Sequence, residues 1–528
     1  MSKAMDTASR HGLIPRANHD CTPALHAALA ACQRRGAAGL VFGPGTYHFY
    51  PAAAPERHCW ISNNDSGFKR IAFHLRGLRD FVIEGRGAHF LFHGRINPFV
   101  AEQCAGLCLR GFTVDWDRSF VARAEVLARG RDWMDLRLPP GDPGRVVDGR
   151  LVYFDDVYAE LRPYLRFMEY DLARRRPLPD TRDWMTDNRA EELEAGTVRV
   201  RGVSPPPRVG ATLVIKHQAR QHPAIVLDHC RQTRLEELTL HHSCGMGIIA
   251  QNCRDVNLNR VRVTPTPDSD RLISTQDDAT HFVNCSGKIG MADCLFENQW
   301  DDGTNVHGIY QRLRQRLGVL MLEVGHYQQL GIAMAAPGET LEFINRRTLL
   351  TYHQARIKSV TPFNPQFTGV TFHEPLPAAY RDGDAVANLD RTPALTIRDC
   401  VFRNNKPRGI LVTTPRRVLI EKNTFQTAGA AIYISGDANF WFESGGVRDV
   451  TIRRNLFEDC NFMTRATGQA VIDIAPEIAP RRAQGSGYHQ NIRITDNVFR
   501  GSQTARRALI RHRAAQQVVT EPNRIEPR

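Results

Sequence analysis

Two acidic pairs stand in matching surroundings: Gln276-Asp277-Asp278-Ala279-Thr280-His281-Phe282 and, 24 residues further on, Trp300-Asp301-Asp302-Gly303-Thr304-Asn305-Val306-His307-Gly308. If the backbone repeats at that interval, the pairs stack side by side. Carboxylates so crowded cannot all stay ionised, because like charges raise at least one pKa. A protonated acid beside an ionised base is the equipment for hydrolysing a glycosidic bond: one protonates the leaving oxygen, the other activates water. The competing readings are solvated Asp-Asp turns and a calcium site, since clustered carboxylates suit that hard ion. Two pairs in register, each followed by Thr and then His or Asn, favour the acid/base reading.

Stacking requires a repeat, and a loose one is present. Apolar or β-branched residues recur at a first position, two further on and seven further on, starting at Leu107, Thr233, Val256, Ile289, Leu395, Val418, Val450 and Ile492. Alternation over so short a span reads as half-buried strand, and the surrounding Asn, Gly and Asp read as turns. The closest spacing is 23 residues. A repeat of that length built from strands and turns predicts a right-handed parallel β-helix. A leucine-rich repeat would need a Leu and Asn framework that is missing. Asn423, Asn455 and Asn497 are expected as a turn ladder.

Two long gaps interrupt the period, 107 to 233 and 289 to 395, and each is long enough for a turn plus a small domain. Alternating segments such as Phe120–Val126, Val209–Ile215 and Asp382–Asn388 make both insertions all-β, as small barrels or sandwiches. The charged stretch 157–190 is expected as an exposed excursion. Asp20–Cys32 carries an N-cap signal and a helical apolar face, suited to cover the open end of a β-helix. The expected organisation is a cap and first turns over 1–116, an inserted barrel-like domain over 117–218, central turns with the aspartates over 219–312, a second insertion over 313–390, and final turns over 391–528.

Bulk properties narrow the classes. The net charge is +13, yet only 7 of the 69 basic residues are Lys, a bias of composition rather than a nucleic-acid groove. No basic cluster is interleaved with aromatics, so neither DNA nor RNA is an expected partner. The 12 Cys show no metal spacing and are expected as buried thiols. No apolar run is long enough to span a membrane, and Met1–Asp20 lacks the apolar core of a signal peptide. Oligomeric state is not legible.

Neighbouring turns should wall the site. Gly245-Met246-Gly-Ile-Ile249 precedes the acids, and Arg408-Gly-Ile-Leu-Val412 follows them on the same stacked strand. His281, Trp300, Asn305, His307 and Tyr310 are placed to hydrogen-bond hydroxyls or stack on a sugar face. Alternation that buries Val306 would turn Asp301, Asn305 and His307 outward and Asp302 inward, unless a bulge presents both acids.

At these motifs the chain resembles glycoside hydrolase family 110, inverting α-1,3-galactosidases that release terminal galactose. The resembling residues are Gly245–Gln251, Asp278–Val283, Phe296–Gln299 and Asp301–Tyr310, with Trp60–Asn63 and Phe92–Arg95 upstream. The likeness covers most of the chain and implies a β-helix with two β-barrel insertions, a galactosylated glycan as substrate, and no metal or cofactor. It implies Asp278, Asp301 and Asp302 as the catalytic carboxylates. Asp301 is expected as general acid, with Asp278 and Asp302 positioning and activating water. Members of this family usually carry an export signal. As it stands the chain reads as cytoplasmic, and a misassigned start or a mature form would make it periplasmic or secreted.

Three alternatives keep the fold and change the function. A polygalacturonase-like hydrolase would show Asn-Thr-Asp and Arg-Ile-Lys motifs at the expected places, and a uronate polymer would need several cations around the aspartates. A polysaccharide lyase would need a Lys or Arg base beside calcium. A non-catalytic glycan-binding β-helix would bind sugar and lose nothing when Asp301 becomes Asn.

Overall fold

The computed structural model describes residues 4–527 apart from 65, 155–158, 161–163, 188, 218–219, 464–467, 484, 486 and 502–507. Its frame is a parallel β-helix whose repeats stack in the register that the sequence pattern sets. Thr233 pairs with Val256, Val256 with Ile289 and Ile289 with Leu395. The ladder continues from Leu395 through Val418 and Val450 to Ile492. The register passes unbroken across both insertions, since Leu109 meets Leu235 and Met291 meets Ile397.

Inside the coil, identical positions of successive turns meet one strand spacing apart. Phe296, Phe402, Phe425, Phe457 and Phe499 therefore form a column, with neighbouring ring centroids 4.9–5.2 Å apart. Beside it runs the predicted ladder of buried amides. Asn423 Oδ1 accepts the Cys400 N–H at 2.9 Å, and Asn455 Oδ1 accepts the Asn423 N–H at 2.9 Å. Asn497 Oδ1 accepts the Asn455 N–H at 3.0 Å. Each amide thus satisfies backbone donors that a tight buried turn leaves without a strand partner. All 12 Cys are buried, and none is in a disulfide.

The cap forms as expected. Helix Thr22–Arg35 buries Leu25, Ala28 and Cys32 in the main core and stops at Gly36, which adopts a left-handed φ of 63°. Asp20 Oδ1 accepts the Thr22 N–H, and His26 Nε2 bonds the Ala72 carbonyl in the first long strand.

Both insertions carry their own cores. In the first, strands from Val121–Arg129 to Thr212–Lys216 form an eight-stranded antiparallel sheet around Val126, Leu136, Phe167, Val200 and Leu213, with a three-stranded sheet from Gly144–Val147 onwards. The stretch expected as an exposed excursion instead supplies Tyr164–Asp171, which pairs with Thr212–Lys216 and buries Phe167, Met168 and Tyr170. Its alternating apolar residues outweigh the charge around them. Residues 157–158, 161–163 and 188 of that stretch lie outside the described residues. The second insertion closes into a barrel through Met321–Gly325, Phe367–Phe372, Thr351–Asn364, Thr340–Ile344 and Ala385–Asn388.

One strand, Thr304–Arg316, belongs to helix and barrel alike. Thr304–His307 pairs with Thr280–Val283 and Ile410–Thr413, and Gly308–Ile309 with Glu443–Ser444. From Tyr310 on, its partners are barrel strands.

Asn423→Ala removes one rung of the amide ladder and orphans the buried Cys400 N–H. The expected outcome is a lower melting temperature, reflecting about 1–3 kcal/mol for each orphaned group, with wild-type turnover per folded molecule. Thermal denaturation beside an activity assay checks both halves.

Candidate active site

The acidic pairs sit in the turns that lead into Thr280–Val283 and Thr304–Arg316. Thr280 pairs with Thr304, and Ile248 and Ile410 occupy the same register in the turns on either side. Counting back two residues in each turn places Met246, Asp278, Asp302 and Arg408 at one stacked position. That count explains the closest contact, Arg408 Nε to Asp302 Oδ1 at 2.7 Å. Gly303 must lack a side chain, because a Cβ there would lie 2.7 Å from the Gly409 carbonyl oxygen.

Carboxylate oxygens of Asp278, Asp301 and Asp302 all lie within 4.8 Å of one another. Asp278 and Asp302 are buried, whereas the Asp301 side chain is 19% exposed. The Asp302 N–H donates to Asp278 Oδ1 at 3.1 Å, locking the two turns together. Asp302 Oδ2 is buried and has no partner among the described residues, so it can engage a ligand or water.

Guanidinium groups offset the crowded charge. Arg220 Nη2 lies 3.0 Å from Asp301 Oδ2, and its Nε lies 2.8 Å from Asp277 Oδ1. Lys216 Nζ reaches the same Asp277 oxygen at 2.8 Å. Asp277 thus anchors two cations at the floor. Such a trio of carboxylates suits a hard cation, but Arg220 and Arg408 already supply positive charge at this position.

The environments of the three acids differ. Burial, followed by the Asp301 charge, pushes Asp278 well above the usual carboxylate range. Burial also pushes Asp302 well up, despite the offsetting pull of Arg408. Burial works in the same direction on Asp301, but Arg220 and Arg408, with Lys406 and Lys216 behind them, hold it below that range. Proton affinity is therefore lowest at Asp301 and higher at the deeper pair.

A histidine chain stands behind Asp278. His281 Nδ1 lies 2.7 Å from Asp278 Oδ2, His307 Nε2 lies 3.0 Å from His281 Nε2, and His307 Nδ1 lies 2.7 Å from the Gly308 carbonyl. A carbonyl only accepts, so His307 Nδ1 is a donor. Burial lowers both imidazole pKa values to about 4, leaving the rings neutral near pH 7. His307 Nε2 then accepts from His281 Nε2–H, and the remaining lone pair on His281 Nδ1 faces Asp278. One proton is held in that short contact.

The wall is completed by Asn305, whose Nδ2 donates to Glu443 Oε1 at 3.1 Å. Other expected residues are not brought to the carboxylates as open surfaces. Trp300 is packed among Met168, Leu272 and Phe462, and Met246 among Ile71, Val100 and Ile249. Tyr310 is buried with its hydroxyl 3.1 Å from that of Tyr488. No ring face of Trp300 or Tyr310 is open for a sugar to stack on.

Sequence reading missed Lys216, Arg220 and Glu443, which reach the site from distant segments. One signal pointed to the first. In a chain with only 7 Lys, Lys216 ends a strand whose middle is buried, and Lys406, buried against Asp183, acts on Asp301 as well.

Known proteins resemble the chain along most of its length. The chain is 34% identical over 499 residues to α-1,3-galactosidase A of Shewanella woodyi, covering 93% of this chain and 81% of that protein. It is 32% identical over 504 residues to α-1,3-galactosidase B of Bacteroides thetaiotaomicron, with the same coverage. The chain belongs to the α-1,3-galactosidase family, glycoside hydrolase family 110. Family membership makes it a glycosidase. Two family models match as well, GLAA-B beta-barrel domain II at residues 319–386 and the right handed beta helix region at 384–501. Among solved structures, the A-module of mannuronan C-5 epimerase AlgE4 from Azotobacter vinelandii is similar at 9% identity and a TM-score of 0.41, covering 98% of this chain and 97% of that one. That likeness is too low to bear on the activity of this glycosidase.

The raised pKa of Asp278 has a stability consequence. The unfolded value is about 3.9, so above it the folded protein binds a proton that the unfolded chain releases. The stability contributed by this group is full below about pH 4 and is lost as pH rises towards the folded value. Asp278→Asn keeps an acceptor for the Asp302 N–H and a donor for His281, but cannot ionise. Its melting temperature relative to wild type is expected to increase between about pH 4 and pH 8. A difference that stays constant across that range would mean Asp278 ionises normally.

Proposed function

We propose that this glycosidase removes terminal α-1,3-linked galactose from a glycan by aspartate acid/base catalysis, without metal or cofactor. The cluster of Asp278, Asp301 and Asp302 carries the reading, in a chain whose relatives are named for that linkage. Asp301 alone of the three reaches solvent, so it stands on the side from which the remaining sugar departs and is the proton donor to the leaving oxygen. Asp278 and Asp302 lie deeper and hold the attacking water, with Asp302 Oδ2 as the open acceptor. Protons in such a cluster belong to it collectively. When the sugar excludes water from Asp301, its proton affinity rises and it takes the proton that the deeper pair held. Attack by water from the far side inverts the anomeric centre. Asn305 and Arg408 bind hydroxyls, while His281 and His307 act through Asp278.

A second reading rests on two observations. Arg220 and Arg408 hold Asp301 below the usual carboxylate range, which makes it the most readily ionised of the three, and its nearest partner oxygens lie within 4.8 Å. Inverting pairs usually stand about 6.5–9.5 Å apart, and retaining pairs about 5–5.5 Å. Asp301 would then be the nucleophile and Asp302 the acid.

Proton NMR of α-1,3-galactobiose hydrolysis separates the two readings. The expected first product is β-galactose, at a rate that EDTA leaves unchanged. Initial α-galactose would establish the second reading, and no release of galactose would exclude both. Asp301→Asn is expected to fold normally and lose about 10²–10⁴-fold in kcat. Wild-type turnover in that variant would remove Asp301 from the mechanism.

A further inference from the structure

Beside the carboxylates a short loop displays two aromatic rings to solvent. Phe440 is 63% exposed and Trp441 is 42% exposed. Their rings meet edge to face, with centroids 4.8 Å apart. The display is held from below. The Asp437 carboxylate accepts the N–H groups of Asn439, Phe440 and Trp441 at 2.7, 3.1 and 2.6 Å. Gln328 Nε2 donates to the Phe440 carbonyl at 3.3 Å.

The next residue shows that this loop is shaped under constraint. Phe442 adopts a φ of 60°, a left-handed backbone conformation that is unfavourable for a bulky residue. That conformation turns its ring inward onto Tyr327, stacked at 4.8 Å, while its carbonyl accepts the Tyr310 N–H at 2.8 Å. The same conformation leaves Trp441 facing out. Glu443 follows at once and bonds Asn305 in the site wall.

Arg220 ties the rings to the chemistry. Its guanidinium lies 5.9 Å from the Trp441 ring centroid, and the same group bonds Asp301 at 3.0 Å. Trp441 is therefore one guanidinium away from the most open of the three carboxylates. An exposed, rigidly held indole at the rim of a sugar-cleaving site offers a flat apolar face with a polar edge, which fits the C–H face of a pyranose.

We propose that Trp441, supported by Phe440, is the stacking platform for the pyranose that leaves when galactose is released, and so sets acceptor preference. This rests on the α-galactosidase reading above. The test compares kcat/KM for α-1,3-galactobiose, whose leaving group is a pyranose, with kcat/KM for α-galactosyl fluoride, whose leaving group is a single atom. In Trp441→Ala the ratio of the first to the second is expected to fall at least tenfold, chiefly through KM for galactobiose. Trp441→Phe should recover most of the ratio. An unchanged ratio, with both substrates affected equally, would overturn the platform and reduce Trp441 to a prop for Arg220. A wild-type protein that cleaves neither substrate would overturn the α-galactosidase reading and the platform together.

Discussion

Everything at this site follows from one constraint: equivalent positions of a parallel coil are forced one strand spacing apart, about 4.8 Å. In the core that spacing is harmless, and it yields the phenylalanine column and the amide ladder. At the turn leading into the outward strand it is costly, because it sets Asp278 and Asp302 one above the other with Asp301 beside them. The surrounding structure is the response to that crowding. Arg408 arrives at the same stacked position from the following turn, Lys216 arrives from the end of the first insertion, Arg220 from the segment that follows it, and two neutral histidines back Asp278. Charge that would destabilise the fold becomes proton affinity that a hydrolytic reaction can draw on.

The coil was legible because its signal is local and repeated. Positions such as Val256, Ile289 and Leu395 carry the same pattern, and the structure pairs them directly. The acidic pairs were legible for the same reason, since their 24-residue interval equals one turn. Arg408 was accessible as part of the same stacked strand. Arg220 and Glu443 were not, because each reaches the site through tertiary packing: Arg220 meets an aspartate 81 residues away, and Glu443 an asparagine 138 residues away. No period links them to the acids. Trp300 and Tyr310 mislead for the opposite reason. They adjoin the motif in sequence, but local backbone geometry turns them into apolar clusters instead of the open site.

The insertions are part of the site's construction. The first ends in Lys216, which anchors Asp277, and it also carries Asp183, whose carboxylate burial would raise but Lys406 and Arg166 hold down at about 2. Without that returning segment the buried Asp277 carboxylate would keep Arg220 but lose Lys216, one of the two cations it anchors. The second contributes through the shared strand Thr304–Arg316, whose early residues Asn305 and His307 belong to the site and whose later residues belong to the barrel.

That shared strand bears on how the molecule comes apart. Two folding units joined by a flexible linker can open independently, but units that share a hydrogen-bonded strand cannot. Losing the barrel would strip the partners from Tyr310–Arg316, and fraying from that end would run towards His307 and Gly308 before reaching anything else. The site therefore lies at the seam of a single cooperative unit. Because the barrel shares this strand with the acidic turn, it is not a detachable module that could be trimmed from the coil without loosening the residues behind Asp278.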